Sequence, residues 1–293
     1  TTTNTELIIL LNEKIMKKLL LLSVLLIPAC GKNQNTNDTG TIDDPSVESI
    51  HGRIAGIVED QSGNPIANVE VSTTNENTTT ASDGSYTLLD VQPADNIVIK
   101  FSKPGFASNY EVTTLINWET VTSNTTLLEI DGSATLSSTE ASQINVGDVS
   151  IDFQANSFII NETQALYNGT VLVEVTHVDP TTNEIEGAPR DLSAIGFDGS
   201  SQLVSYGMID VTLYGESGEL LTVVADKPAN VMIPITNGSL NADYQLSPGD
   251  SQSTWSFNPE QGIWVEESVG TITGDESGLF FTFEAPHFSW WNC

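Results

Sequence analysis

From His51 onward, apolar residues come in short runs rich in Val, Ile, Thr and aromatics, broken by Gly, Asn, Asp and Pro. The breaks recur about every ten residues and no stretch keeps a helical period, a pattern that predicts an all-β chain. Residues 54–59 read as a strand, and Asp60-Gln61-Ser62-Gly63-Asn64-Pro65 turns the chain. Residues 69–73 return, with Val69 and Val71 on one face. Asp83-Gly84 forms a second tight turn, 97–101 reads as a central strand, and Lys103-Pro104-Gly105-Phe106 turns it over. Roughly seven such strands in 51–128 predict a small β-sandwich. A second β-sandwich-like domain is expected over 134–293. Its clearest strands are 149–153, 169–175 and 207–213, the last paired with 220–224 across Gly215-Glu216-Ser217-Gly218. Residues 227–235 follow, then an aromatic pair of strands at 255–257 and 262–267, and a closing His287-Phe288-Ser289-Trp290-Trp291-Asn292-Cys293.

The first fifty residues follow a different pattern. Met16-Lys17-Lys18 precedes a nine-residue apolar run, 19–27, and then Pro28-Ala29-Cys30. Positive end, short apolar stretch and small residue before a cysteine make a secretion leader that ends at a lipid-acceptor thiol. A spanning helix needs roughly 20 apolar residues, far more than this run supplies. Residues 16–29 are thus read as a signal peptide and Cys30 as the lipidation site; Ile27-Pro28-Ala29-Cys30 resembles the bacterial lipoprotein box. Residues 1–15 are read as translation upstream of a start at Met16. Joining 7–29 into one membrane helix would bury Glu13, Lys14, Lys17 and Lys18, at about +2.5 to +3.5 kcal/mol for each charge near the centre. Residues 30–50, rich in Asn, Thr, Asp and Gly, read as a flexible tether. A tether of that length reaches on the order of 25 Å. Gly31 rather than Asp after Cys30 points to the outer membrane in bacteria that sort on that position. The aromatic cluster at the end reads as interior sequence, so the chain is expected to continue past Cys293.

Several motifs of 51–128 resemble the carboxypeptidase regulatory-like domain in order and spacing: Gly56-Ile57-Val58-Glu59-Asp60, Gly63-Asn64-Pro65-Ile66, Val69-Glu70-Val71, Asp83-Gly84-Ser85-Tyr86 and Pro104-Gly105-Phe106. That resemblance implies a transthyretin-like β-sandwich without catalytic residues of its own. At Pro93-Ala94-Asp95 the family usually has Pro-Gly before an aromatic. The order of segments in 134–293 is similar to a domain that follows regulatory-like domains in bacterial surface lipoproteins. A related pattern occurs in the cartilage intermediate layer protein family, and His287 to Cys293 is its most specific part.

Charge narrows the partners. Without residues 1–29, which hold three lysines and two glutamates, the chain keeps six basic and 37 acidic residues, a formal charge near −31. Nucleic acid and anionic lipid surfaces are poor partners for such a field. With Cys30 acylated only Cys293 remains, and no intramolecular disulfide is expected.

Catalytic chemistry has little footing. There is no Gly-x-Ser-x-Gly, and His51, His177 and His287 are too far apart for the short spacing of metal ligands. His177 and Asp179 share one strand face, a spacing that arises often by chance; the histidines are read as structural, with His287 bonding backbone. Calcium is the one cofactor to weigh, because acids gather at turns: Glu59-Asp60, Asp83, Asp148, Asp179, Glu184, Asp198 and Asp250. Asp179, Glu184 and Asp198 are the candidate ligands; solvated turn acids are the weightier reading. Trp118, Trp255, Trp264, Trp290 and Trp291 offer sugar platforms or core. Adjacent Trp290 and Trp291 face opposite sides of a strand, so one is expected in the core and the other exposed unless chain beyond Cys293 covers it. An isopeptide crosslink from Lys100 would need a neighbouring acid, and Lys100 sits on a face read as outward. The expected whole is a lipid-anchored envelope protein held to the membrane at Cys30, with a non-catalytic structural or recognition role toward a protein or glycan. An accessory module of an envelope peptidase or a glycan-degrading or uptake system is the other reading.

Overall fold

The computed structural model describes residues 51–189, 192–237, 244–275 and 278–293. The expected leader, the expected lipidation site Cys30 and the expected tether lie outside them. The described chain is all-β; its one helical turn is the 3-10 segment Asn183–Gly187. Ser49–Cys293 forms one compact unit.

Residues 52–127 build two four-stranded sheets. In one, Gly52–Asp60 lies between Ser85–Val91, antiparallel, and the short parallel strands Thr120–Thr122 and Thr125–Leu127. The other runs Asn77–Thr79, Glu70–Ser72, Ala94–Ser102, Asn109–Leu115. Alternation decides what the sheets enclose: Ile97, Ile99 and Phe101 point inward from one strand, Ile54 and Val58 from another, and they meet Val69, Val71, Leu88 and Leu127. Tyr86 closes this core edge-on to Phe101, ring centroids 5.5 Å apart, and its hydroxyl donates to the Ser123 carbonyl at 2.7 Å.

The second module is a single 14-stranded sheet. Its path begins at Ser142–Val146 and ends at Gly132–Ser137, strands adjacent in sequence and in contact, so the sheet curls until its two edges meet. Val171, Val173, Val175, Ile209, Val211, Ile233, Phe281 and Phe283 fill the inside.

The strand Trp290–Asn292 is inserted between Ser251–Asn258 and Met208–Tyr214. Both of its tryptophans are 1% exposed, which corrects the expectation that one faces solvent. They do point to opposite faces, but each face has its own core. Trp291 enters the interior of the curled sheet, 5.2 Å from Phe283. Trp290 enters a third core, with Met208, Phe257 and Trp264 from this module and Ala107 and Leu128 from the first. Its indole N–H donates to the Ser108 carbonyl of the first module at 2.7 Å. His287 bonds the Glu267 carboxylate at 3.3 Å instead of backbone and lies beside the Trp291 ring. The backbone-bonded histidine is His177, at 2.9 Å from the Pro234 carbonyl.

Gly84 has φ of 74°, and a Cβ there would lie 2.5 Å from the Val58 carbonyl oxygen. Gly84→Val is therefore expected to lower stability by more than about 1 kcal/mol. A denaturant titration that finds the variant as stable as the parent contradicts this turn geometry.

Candidate functional site

The outer face of the second module is set by strand register. In the antiparallel pair Thr170–Val178 and Met208–Tyr214, Val175 opposes Val211, Thr176 opposes Asp210, Glu174 opposes Thr212 and Leu172 opposes Tyr214. The valines point into the curled sheet, so Glu174, Asp210, Thr212 and Tyr214 point away from it. On that side lies the Ala94–Ser102 and Asn109–Leu115 sheet of the first module. A cleft of about 980 Å³ opens between them, with Lys100 and Tyr110 on the first module's wall and Glu174, Asp210 and Tyr214 on the second's.

Contacts beside the cleft hold the modules together. Besides the third core, the linker that joins them is tied to the second module: the Asp131 amide donates to the Val175 carbonyl at 2.9 Å, and the His177 amide donates to the Asp131 carboxylate at 2.7 Å. The turn at Gly262 presses on the first module's outer face, where a Cβ would come within 2.5 Å of Val112 and 2.9 Å of Val98.

Asp210 is the most perturbed acid here. It is 7% exposed, and the Thr212 hydroxyl donates to it at 3.2 Å. Burial pushes its carboxyl up to about 7; the Thr212 bond and the Lys100 charge pull the other way, and Glu174 adds to the rise. Burial also raises Glu174. Tyr110 is raised by burial first and by Asp210 second, and Tyr214 by burial, Glu174 and Asp210. The cleft thus combines two reluctant carboxylates, two phenols and the amines of Lys100 and Lys103. A carboxyl poised near neutrality donates a hydrogen bond when protonated and accepts one when ionised. Such a lining suits a ligand rich in hydroxyls or amides. No histidine lines it.

The acids singled out from the sequence mostly serve their own turns. Asp60 accepts from the Ser62 amide at 2.8 Å and the Asn64 amide at 2.9 Å, Asp83 from the Ser85 hydroxyl at 2.6 Å, and Asp250 from the Ser247 amide at 2.8 Å. The structure brings Asp179 and Glu184 together: the Glu184 carboxylate accepts the Asp179 amide at 3.0 Å. Asp179 receives Thr181 on one oxygen and the Thr236 hydroxyl on the other. Partial burial works against its ionisation, but these hydrogen bonds outweigh it and hold the carboxyl below its usual value. Asp198 lies apart, in the turn between Ser193–Gly196 and Gly199–Gln202. Among the described residues no three His, Cys, Asp or Glu side chains gather as a metal-ligand set. Cys293 is buried, which pushes its thiol up to about 12. The cleft residues Glu174 and Asp210 escaped the sequence reading, because a polar position in an alternating strand reads as solvent-facing. The available signal was Met208 and Tyr214, two large apolar-bodied residues on the same face as Asp210.

The pH dependence of Asp210 follows from its raised carboxyl. Below about pH 4 it is protonated in folded and unfolded chains alike and costs nothing; as pH rises toward 7 the unfolded chain ionises first, and the folded state loses up to a few kcal/mol. Asp210→Asn is expected to melt with the parent near pH 4 and above it near pH 8. A melting difference that stays constant across that range contradicts the burial of a charge-averse carboxyl.

Over 105 residues the chain is 33% identical to cartilage intermediate layer protein 2 of Homo sapiens, a stretch covering 35% of this chain and 8% of that protein. The chain therefore spans less than a tenth of that relative's length. Among solved structures, a proposed carbohydrate-binding protein from Bacteroides uniformis ATCC 8492 is 8% identical, covers 80% of this chain and 98% of its own, and has a TM-score of 0.23. The streptococcal ancillary pilin is 11% identical over 78% of this chain and 60% of its own, with a TM-score of 0.24. A D312A variant of BcpA, the major pilin subunit of Bacillus cereus, is 10% identical over 80% and 85%, with a TM-score of 0.26. TM-scores this far below 0.5 assign no common fold. Residues 53–128 match the carboxypeptidase regulatory-like domain, the stretch that holds the two four-stranded sheets.

Proposed function

We propose that this chain is a lipid-anchored protein of the bacterial cell envelope, fixed to the outer membrane through Cys30, that recognises a protein or glycan ligand without chemically changing it. The observation that carries the recognition role is the inter-module cleft, about 980 Å³ and walled by Lys100, Tyr110, Glu174, Asp210 and Tyr214. Phenol rings and carboxylates in one concave site are the groups that stack on and hydrogen-bond a hydroxyl-rich ligand. A non-catalytic role is supported by where the three histidines sit. His51 lies 4.0 Å from Asp90, His177 is held by a backbone carbonyl, and His287 by Glu267. The regulatory-like domain at 53–128 is not a catalytic family. The anchor is supported by the leader and box at 16–30, and the acidic surface disfavours nucleic acid as a partner.

Mass spectrometry of the mature N-terminus is expected to find an acylated Cys30, and Cys30→Ser is expected to release the protein from membranes. An unmodified terminus elsewhere removes the anchor. For the recognition role, a panel of envelope glycans and surface proteins is expected to yield a binder whose affinity falls on Tyr214→Ala with the melting temperature kept. Hydrolysis of any panel substrate overturns the non-catalytic reading.

A further inference from the structure

Three large apolar side chains project into solvent at one end of the first module. Trp118 is 66% exposed, Ile116 62% and Leu89 51%. Strand pairing brings them to the same end of the Gly52–Asp60 strand, Leu89 on one flank and the loop 116–119 on the other. Gly52 pairs with Val91, next to the Leu89-Asp90 bulge, and the Arg53 amide donates to the Glu119 carbonyl at 2.9 Å in the loop that carries Ile116 and Trp118. This is the end at which the chain enters the first module from the Cys30 side.

The backbone there is unusual. Trp118 has φ of 61° and Asp90 of 57°. A bulky residue in the left-handed region is a conformational outlier that costs on the order of 1 kcal/mol or more and recurs at functional sites. Here strain holds an indole in water, where the hydrophobic effect works against it. An occupant that covers the indole removes the second cost and offsets the first.

Taking the anchor at Cys30 as given, we propose that the loop 116–119, with Leu89, rests in the headgroup layer of the membrane to which Cys30 is attached. Twenty residues separate Cys30 from His51, and a random coil of that length reaches about 25 Å, which makes this the end of the module nearest the anchor. Tryptophan partitions to the membrane–water boundary, and a weak acyl anchor gains from a second apolar contact. The aliphatic companions distinguish this patch from a sugar platform, which sets an aromatic plane among hydrogen-bonding side chains. Arg53 lies exposed beside it, but so do Glu119 and Asp90. That balance selects a zwitterionic surface over an anionic one.

The test uses the full acylated chain on phosphatidylcholine vesicles, with and without bromine on the acyl chains, and compares the parent with Trp118→Phe and Cys30→Ser. The parent is expected to float with vesicles and to lose, on brominated lipid, an emission share of the size one of its five tryptophans supplies. Trp118→Phe is expected to float equally and to show no bromine quenching. Equal quenching in parent and Trp118→Phe, or none in either while both float, overturns the loop contact and leaves the anchor standing. A parent that does not float, or a Cys30→Ser chain that floats as well as the parent, overturns the anchor itself. Emission of Trp118 that responds to cell-wall oligosaccharides and not to lipid assigns the patch to a glycan and overturns the proposal.

Discussion

The two modules are held in one arrangement by a three-residue strand with no exposed face. Trp290–Asn292 lies between two longer strands, so its backbone is satisfied on both sides and its side chains must enter two different interiors. Trp291 belongs to the curled sheet; Trp290 belongs to the junction, where it packs beside Leu128 and Ala107 and bonds the Ser108 carbonyl. A buried tryptophan removes on the order of 200 Å² from water, the largest contribution one side chain can make to a junction. The indole bond adds direction, since it is satisfied only when Ser108 is in place.

The cleft is a consequence of that seam. Contact on the Trp290 side and at Gly262 brings the two modules together there, while the faces bearing Lys100 and Tyr110 on one side and Glu174 and Tyr214 on the other stand apart. Asp210 pairs directly with Trp290 in register, so it sits where seam becomes cleft. This position explains its environment: buried enough for its ionised form to be disfavoured, yet part of the cleft wall. A site assembled from two modules keeps its geometry only as long as the seam holds.

The sequence made the all-β class and most strands legible, because short alternating runs and Gly-Asp-Asn turns report period-two packing directly. Asp83-Gly84 and Pro104-Gly105 turn the chain where expected, and both glycines have positive φ. The seam was not legible. Alternation says that Trp290 and Trp291 face opposite ways, but not that both faces are covered, since the cover for Trp290 comes from residues 107–128, more than 150 positions earlier. The same limit hid the cleft: Asp210 and Thr212 look like the wet face of an amphipathic strand until the first module is set against them. The turn acids were legible as turn residues, and their oxygens are engaged by neighbouring amides and hydroxyls.

The measurement that tests this account most directly is calorimetric unfolding of the intact chain beside Trp290→Ala. If the seam makes residues 49–293 one body, the parent unfolds in a single cooperative transition. The variant, losing the indole and its bond to Ser108, is destabilised by about 3–5 kcal/mol and splits into two transitions, one for each module. A parent that already melts in two independent steps, or a variant that keeps the parent's single transition and midpoint, would contradict the claim that the seam depends on Trp290.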